Sequence, residues 1–564
     1  MLKSLPWGFA ALLAISACTG EVVPSVGEGP RSGAGVSPFG APVSGSNAPS
    51  MPVGVAGGGS GSTGSASGST GSTVGSTGSA SGGSSFALPN GAPDLTNVLP
   101  ENEAITEPGC DGEILATDVR IRDIAFYQSV KIPVVEDGRA VTAPEVPLVN
   151  GKSTLVRVFV EPFSAAARGP VKATLTLQNG AGPQTFESVM TPSRASGDED
   201  LGSTFNFEVG GEELTTDTAF SLALEEPDCT VTRGDARDAR FPESGTYALE
   251  VLPVRKLRVV LVPVTVSGLT PSTSSAQVDA IREALSAVYP VPEVEVSVRA
   301  PVVWTQTISA SGGWTSLLNE IGAVRQRDRV DRDVYYFGLV TPVPRLRDFC
   351  RWGCTAGIAP QNVFVSSAHQ IGLGVGYEDP LTYETIVHEL GHAHGLGHAP
   401  CAMGGGITGV DRAFPFPNGD TGSWGWDAST GKIMRPTTKD LMGYCPPSWI
   451  GEYNYRKLVD RSLGVNTAAR IITTKSASRA KWRSIVLNPD GSASWGQMLL
   501  DEWPGGAEEE GIVRSATGEE LARVRVARVQ LSDEQGSFLY LPQPQADWAS
   551  IQLSDRTLEL SLLN

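Results

Sequence analysis

The chain has 564 residues, of which 40% are hydrophobic and 18% are charged, and its formal net charge at pH 7 is −18. This length predicts more than one domain, and after residue 20 no segment is long and apolar enough to span a membrane. The excess of acidic residues argues against nucleic acid or an anionic membrane surface as a partner, because both favour clustered lysine and arginine.

The N-terminus predicts export. Residues 1–17, MLKSLPWGFAALLAISA, place one lysine before a short apolar stretch, which is the layout of a secretory signal peptide. The small residues before Cys18 resemble the bacterial lipobox, in which cleavage leaves the cysteine as the lipidated first residue. The resemblance implies an outer-membrane or cell-surface lipoprotein, which could also be released, and a lipid anchor as its one membrane contact. The alternative is an ordinary signal peptide with an incidental cysteine.

Residues 18–105 consist mainly of Gly, Ser, Thr, Ala and Pro, and the octet GSTGSASG occurs twice. Such a tract cannot bury enough apolar surface to offset the entropy of ordering it. It predicts a disordered tether.

Residues 110–254 predict an N-terminal β-sandwich-like domain. Short alternating or β-branched runs are separated by turn-forming residues, and no segment has a helical period. The runs are DVRIRDIAFYQSV, STLVRVFVEP, VKATLTLQNG, STFNFEVGG, AFSLALEEP and TYALEVLPV.

Residues 255–463 alternate between predicted strands and helices, which is typical of an α/β (α+β) domain. KLRVVLVPVTV (256–266) and RDVYYFGLV (332–340) are near-continuous apolar strands, as expected in a sheet that is covered on both faces. Two segments with helical spacing, 274–290 and 315–328, lie between them. QNVFVSSA (361–368) is interpreted as a third strand.

Residues 464–564 return to short apolar runs and predict a C-terminal β domain. The runs are ARIITTKS, WRSIVLNPDGSASW, ARVRVARVQL, GSFLYLPQ and RTLELSLL. The expected fold is therefore multidomain, with an α/β domain flanked by β-sandwich-like domains.

The run HELGHAHGLGH (388–398) contains four of the five histidines of the chain. The segment around it predicts a helix that begins after Asp379, with proline tolerated in its first turn. Gly395 can adopt the positive φ that ends a helix.

The spacing of this run predicts a metal site. His388 and His392 are four residues apart and therefore leave the same helix face, and His398 can swing back after the turn to offer a third ligand. HExxH alone recurs by chance, but the longer pattern HExxHxxGxxH is met at every specified position. Three neutral imidazoles leave the fourth position of zinc open, as catalytic sites require, and Glu389 is the candidate general base. One catalytic Zn²⁺ is expected, and a need for Ca²⁺ is not decided.

The two other histidines are not required by the pattern. The His394 side chain is expected to point away from the helix face that carries His388 and His392, so a supporting or surface role is expected. A structural role is expected for His369.

The extended pattern resembles that of the metzincin metallopeptidases, which carry a methionine in a tight turn beneath the metal. The resemblance implies that Met442, in DLMGY, is this methionine, with Met403 and Met434 as alternatives. In some metzincins a tyrosine two residues further on binds zinc in the resting enzyme and then stabilises the oxyanion, a role that the resemblance gives to Tyr444. GSWGWD (422–427) is similar to a segment of the StcE-type secreted proteases, which cut mucin-like glycoproteins.

Apart from Cys18, the chain has six cysteines, and an even number predicts disulfides in an exported protein. Two other uses stay open: a zinc site in CRWGC, and a Cys110 thiolate that caps the metal and keeps the enzyme latent. Membership of the predicted domains favours the pairs Cys110–Cys229, Cys350–Cys354 and Cys401–Cys445.

Together these features predict an exported, surface-tethered zinc metalloendopeptidase that hydrolyses protein or glycoprotein substrates. An extended substrate could pair with the edge of the 361–368 strand. The first alternative is an adhesin or glycan-binding lipoprotein with an inactive metal site, although Glu389 and all three ligands are present. The second is a zinc amidohydrolase acting on a non-peptide amide.

Overall fold

The computed structural model describes residues 99 and 114–563, apart from 164–168, 228–235, 352, 362–365, 403–406, 472–479, 502 and 533–535. The predicted signal peptide and tether, Cys18, the Cys110–Cys229 pair and Met403 therefore lie outside the described residues. Within the described residues, no helix combines the length and apolarity needed to cross a membrane.

The N-terminal part of the structure is a pair of sheets built mainly from antiparallel strands. These are β1 (Val119–Gln128), β2 (Val130–Glu136), β3 (Arg139–Ala140), β4 (Leu148–Val149), β5 (Thr154–Pro162), β6 (Val171–Asn179), β7 (Gly182–Met190), β8 (Thr204–Val209), β9 (Ala219–Glu225), β10 (Arg240–Phe241), β11 (Tyr247–Ala248) and β12 (Val251–Leu252). One sheet contains β2-β1-β5-β8, with β3 beside β2, and the other contains β10-β9-β6-β7, with β11 beside β9. The short strands β4 and β12 pair in a separate small parallel sheet.

The two sheets share one hydrophobic core. Alternate residues of β6 are buried, as the period of two in VKATLTLQN predicts. The rings of Phe126 in one sheet and Phe220 in the other lie 5.7 Å apart. The sheets therefore face each other as in a sandwich.

The central part alternates strands and helices. Its strands are β13 (Leu257–Val266), β14 (Val294–Val298), β15 (Val302–Trp304), β16 (Val334–Val340), β17 (Gly357–Ile358) and β18 (Ile371–Val375), and its helices are α1 (Ser275–Val288), α2 (Trp314–Asp328), α3 (Leu346–Phe349) and α4 (Pro380–Ala393). The sheet order is β14-β13-β16-β18-β17, with β15 beside β13. All pairs are parallel except β17–β18.

Both faces of this sheet are covered, which explains why every residue of β16, VYYFGLV, is buried. Helices α1 and α4 contribute to the core on one face. Helix α2 contributes to a second core on the other face.

The third parallel strand differs from the prediction. It is β18, with the sequence IGLGV. Residues 362–365 of the predicted 361–368 strand lie outside the described residues, and Ser367–His369 at its end forms a 3₁₀ turn. Gly372 and Gly374 allow neighbours to approach β18 closely, since a Cβ at Gly372 would lie 2.7 Å from the Phe337 ring. The packing requires glycine at these two positions because glycine has no side chain. For the same reason, the two glycines weaken the hydrophobic pattern by which a strand is predicted from sequence.

The chain after α4 returns to the N-terminal sheet. It forms β19 (Gly425–Asp427), β20 (Lys432–Met434), β21 (Lys439–Asp440), β22 (Ser448–Trp449) and α5 (Glu452–Ile471). Gly425 pairs with Val130, so that β20-β19 extends the sheet beyond β2 to seven strands. The indole of Trp449 donates a hydrogen bond to the Ser129 carbonyl at 2.8 Å. GSWGWD thus joins the region of the histidine run to the N-terminal sheet.

The C-terminal part is a seven-stranded sheet of order β24-β23-β27-β26-β25-β28-β29. The strands are β23 (Ala480–Leu487), β24 (Ala493–Asp501), β25 (Ala507–Arg514), β26 (Glu520–Gln530), β27 (Ser537–Pro542), β28 (Ser550–Gln552) and β29 (Thr557–Glu559). The predicted strand ARIITTKS is wrong at its start, because residues up to Ile471 belong to α5. Trp482, Phe538 and Tyr540 belong to the same core as α2 and β18.

Candidate metal centre

Helix α4 is held at both ends by the residues that the sequence suggested. The Asp379 side chain accepts a hydrogen bond from the Leu381 N–H at 3.0 Å, and Pro380 occupies the first turn. At the other end Gly395 has a φ of +92°. Its N–H donates to the His392 carbonyl at 2.8 Å. The helix is buried at every residue from 385 to 393.

Three histidines converge at this helix end. The Nε2 atoms of His388 and His392 lie 3.1 Å apart, and those of His392 and His398 lie 3.0 Å apart. His398 is placed by the loop after the helix, where its N–H donates to the Gly409 carbonyl at 3.1 Å. In the part of the chain that the structure describes, this triad is the one group of three or more His, Cys, Asp or Glu side chains that could hold a metal ion.

The other ring nitrogen of each histidine contacts a backbone carbonyl. A carbonyl oxygen accepts hydrogen bonds and cannot donate them, so each Nδ1 carries the proton and each Nε2 presents a lone pair. Such partners fix the orientation of metal-binding imidazoles. The acceptors are Leu441 O at 2.9 Å for His388, Leu396 O at 2.9 Å for His392 and Thr408 O for His398.

Burial keeps the three imidazoles neutral. It lowers the pKa of His388 to about 4, with a further contribution from His398. It also lowers the pKa of His392 well below its ordinary value and lowers the pKa of His398. Metal binding requires the neutral form, so the ligands are ready at pH 7.

The donor set fits a metal ion. With the protons on Nδ1, no hydrogen bond can join the three Nε2 atoms, and their lone pairs repel one another at 3.0–3.1 Å unless a cation lies among them. Three imidazole nitrogens are the donor set of several catalytic zinc sites, in which a fourth position stays open.

Glu389 follows His388 in α4 and is 2% exposed. Its side chain passes under β17, where a Cβ at Gly357 would lie 2.7 Å from Glu389 Cγ. The Ser532 hydroxyl, from the C-terminal sheet, donates a hydrogen bond to Glu389 Oε2 at 3.0 Å.

Met442 lies against the ligand-bearing helix and is fully buried. A Cβ at Gly391 would lie 2.6 Å from Met442 Sδ, so the methionine packs against α4 between the positions of its two histidine ligands. The Met442 N–H donates to Asp440 Oδ1 at 2.9 Å. The alternative Met434 lies in β20 of the N-terminal sheet.

Tyr444 faces the triad. Its hydroxyl lies 3.0 Å from His398 Nε2, and because that nitrogen carries no proton the hydroxyl is the donor. The residue is 38% exposed, which leaves it accessible to a substrate. Its N–H donates to the Cys401 carbonyl at 2.7 Å.

Two of the three expected disulfides lie within the described residues, and both are present. Cys401–Cys445 joins the segment after His398 to the residue that follows Tyr444. Cys350–Cys354 closes a short loop, so CRWGC is not a zinc site.

The two remaining histidines take no part in the triad. His394 is buried and stacks on Tyr335 with ring centroids 4.4 Å apart, so the surface role considered for it is wrong. His369 is also buried, and its Nε2 lies 3.1 Å from the Tyr540 hydroxyl. Burial lowers the pKa of each to about 3.

Sequence reasoning missed two residues of the site. Asp440 is buried beneath the methionine turn and accepts hydrogen bonds from Met442, Gly451 and Asn454. Its place in DLMGY was a usable signal, because a buried aspartate beside a turn commonly binds backbone N–H groups. Ser532 is separated from Glu389 by 143 residues, and no local pattern announces it.

The three histidines could hold a metal ion, with the Glu389 carboxylate next to His388 and the Tyr444 phenol next to His398. Metal-dependent hydrolases use such a set of groups. In agreement, residues 369–445 match the model of the Peptidase M66 family. That family consists of zinc metallopeptidases of the StcE type, and the matched segment contains every residue of the triad, Glu389, Met442 and Tyr444.

Two further comparisons add no argument. No curated protein matches the chain. A solved structure described as that of a chaperone–substrate complex aligns at 12% identity over 47% of this chain and 39% of that chain, with a TM-score of 0.21.

Proposed function

We propose that the protein is a zinc-dependent endopeptidase of the metzincin type that cleaves protein or glycoprotein substrates. The observation that carries the proposal is the convergence of His388, His392 and His398 on one point, with Glu389 next to His388 in α4. The match of residues 369–445 to a metallopeptidase family supports it. The parallel sheet with its antiparallel edge strand, and Met442 packed against α4, also suit a metzincin.

The chain's own residues suit peptide hydrolysis. When bound, zinc supplies Lewis-acid polarisation and acidifies water. Glu389 would accept a proton from the attacking water and deliver it to the leaving amine. Tyr444, whose hydroxyl is already a donor toward the triad, would donate to the developing oxyanion. The carbonyls of Leu441, Leu396 and Thr408 would hold the ligands in place during both steps.

We further propose that the enzyme is exported and held at a cell surface by a lipid on Cys18. The support is the signal-like layout of residues 1–17 and the small residues before the cysteine. Residues 18–105 would act as the tether, with a reach of about 50 Å for a flexible chain of that length. Labelling with a radioactive or clickable fatty acid tests this proposal, because lipid on the parent and none on Cys18→Ala is the expected result.

The peptidase activity is tested on the zinc-loaded full chain. It is incubated with a mixture of unglycosylated proteins and proteins that carry mucin-type glycans, and new N-termini are mapped by mass spectrometry. Glu389→Gln is the matched control, because it keeps the shape of the side chain and removes the base. Cuts made by the parent and absent from the variant are expected, and their sequence context defines the substrate class. If both proteins hold stoichiometric zinc and neither cuts, the activity is refuted and the binding-protein alternative takes its place.

A further inference from the structure

The C-terminal sheet reaches the metal centre through one short segment, Gln530–Ser532, at the end of β26. This segment runs antiparallel to Ala359–Gln361, the residues after β17. The Ser532 N–H donates to the Ala359 carbonyl at 2.9 Å, and the Gln361 N–H donates to the Gln530 carbonyl at 2.9 Å. Pro360 and Leu531 form the bridge between these two bonds.

The contact lies on the outer edge of the central sheet. The Val375 N–H donates to the Ala356 carbonyl at 2.8 Å, so residues 356 and 358 direct their backbone groups toward β18. In an antiparallel pair the groups of the next residue point the other way. The N–H and C=O of Ala359 therefore point outward, and both are taken by Ser532. An extended substrate cannot pair with Ala359 while Ser532 is in place.

The Ser532 hydroxyl has one orientation that satisfies its partners. Its oxygen accepts the Ala359 N–H at 3.0 Å and lies 3.0 Å from Glu389 Oε2. A hydroxyl has a single proton, and a carboxylate can receive it whereas a backbone N–H cannot. Ser532 is 0% exposed and Glu389 is 2% exposed, so water does not compete for this bond.

The Gln530–Ser532 segment is a fixed part of the fold. Leu531 is fully buried in the core that also contains Ile358 of β17 and Leu373 of β18. Nearby, the buried pair of His369 and Tyr540 ties the same sheet to the central part at 3.1 Å. Removing the segment would expose this core.

We infer that Ser532 is a positioning residue for Glu389, so that the C-terminal sheet supplies part of the active site. The inference rests on the proposed peptidase function and deepens it. The hydroxyl holds the carboxylate in the orientation from which it takes a proton. The same contact closes the outer edge at Ala359–Gln361, so a substrate binds without backbone pairing at those residues.

The test compares Ser532→Ala with Ser484→Ala in the zinc-loaded full chain. Ser484 is the matched control because it lies in β23 of the same sheet, is also 0% exposed, and donates to the Gln497 carbonyl at 3.1 Å, with no contact to Glu389. Each variant is measured for zinc content, thermal stability, kcat and KM on the peptide that the parent cuts. Ser532→Thr, which keeps a hydroxyl, is measured beside them.

Ser532→Ala is expected to lower kcat by about ten- to a hundredfold, the effect of losing one hydrogen bond to a charged group, while KM and zinc content stay unchanged. Ser484→Ala is expected to lose similar thermal stability and to keep its kcat, and Ser532→Thr is expected to recover most of the kcat. A crystal structure of Ser532→Ala gives a readout that does not depend on turnover, in which the Glu389 carboxylate is expected to be displaced.

Four results would overturn the inference. These are a kcat of Ser532→Ala within twofold of the parent, an equal loss of kcat in Ser484→Ala, an equal loss in Ser532→Thr, or an unmoved Glu389 in the crystal structure. If the parent cleaves and Glu389→Gln does not, such a result removes the positioning role alone and leaves the peptidase function standing. If the parent cleaves nothing, the proposed function fails and the inference fails with it.

Discussion

Replacing Asp440 with alanine is expected to destabilise the metal-free protein and to weaken zinc binding, although Asp440 touches no ligand. Its carboxylate is fully buried and accepts three hydrogen bonds: from the Met442 N–H at 2.9 Å, the Asn454 side-chain amide at 2.8 Å and the Gly451 N–H at 3.0 Å. These bonds fix the turn whose Leu441 carbonyl orients His388. The aspartate thus connects the turn to the metal centre.

The magnitude follows from the three donors that the alanine would leave without an acceptor. Each unsatisfied buried donor costs about 1–3 kcal/mol, so a loss of about 3–6 kcal/mol in the free energy of unfolding is expected after partial relaxation. Asp440→Asn keeps one acceptor oxygen and opposes one N–H with its amide, so its loss should be about 1–3 kcal/mol below pH 3.8, where the aspartate is uncharged. Loss of a group that supports a ligand typically weakens metal affinity by about 10- to 100-fold.

The same residue predicts a pH dependence. Burial raises the pKa of Asp440 from 3.8 to about 6, so the folded state resists ionisation of this group. The resulting loss in the free energy of unfolding is absent below pH 3.8, grows as the pH rises and is complete above pH 6. Relative to Asp440→Asn, which cannot ionise, the parent should therefore lose stability across this window, by about 3 kcal/mol at about 1.4 kcal/mol per pH unit.

Urea denaturation in the presence of a chelator measures these stabilities, and competition with a zinc indicator measures affinity. Asp427→Ala is the matched control, because Asp427 is 5% exposed and also accepts three hydrogen bonds, from the Ser429 N–H and the hydroxyls of Ser429 and Thr430, in a turn away from the triad. It should lose stability and keep its zinc affinity. A loss below about 1 kcal/mol in Asp440→Ala, or equal losses of affinity in both variants, would refute the reasoning.

Three further predictions concern the ligands, the disulfide and the phenol. His392→Ala is expected to abolish stoichiometric zinc binding, whereas His394→Ala should lose stability and keep its zinc. Metal analysis after dialysis measures the zinc content of both variants, and a His394→Ala protein without zinc would contradict the assignment. Replacing Cys401 and Cys445 with serine removes a link between positions 44 residues apart and should lower the free energy of unfolding by up to about 4 kcal/mol in urea, so a change below about 1 kcal/mol would count against it. Tyr444→Phe should lower kcat about a hundredfold at unchanged zinc content, and an unchanged kcat would remove its role at the oxyanion.

The ligand helix was predictable because its determinants are local. The cap at Asp379, the turn at Gly395 and the one-turn separation of two histidines all follow from backbone geometry within a few residues. The same holds for the apolar strands β13 and β16, whose near-continuous hydrophobic runs match burial on both faces.

The third parallel strand was not predictable from its own composition. IGLGV carries glycine where a strand pattern favours β-branched residues, because Thr385 of α4 and Phe337 of β16 press against it. A Cβ at Gly374 would lie 2.9 Å from Thr385 Cγ2. The requirement for glycine comes from the elements that pack against β18, so it becomes visible when α4 and the sheet are considered together.

The C-terminal sheet shows why divisions drawn from composition miss part of the site. One of its faces contributes Trp482, Phe538 and Tyr540 to the core that also contains Ile371 and Leu373 of β18, the strand next to the ligand helix. This packing determines the position of Ser532. Strand β26 contributes to the shared core and ends at the outer edge of β17, where Ser532 contacts Glu389. The hydroxyl that donates a hydrogen bond to Glu389 is therefore held by a hydrophobic core to which both parts contribute. Substitutions that loosen this core at a distance should act on turnover through the Glu389 contact, and they should leave the zinc ligands, which are oriented by carbonyls of the central part, unaffected.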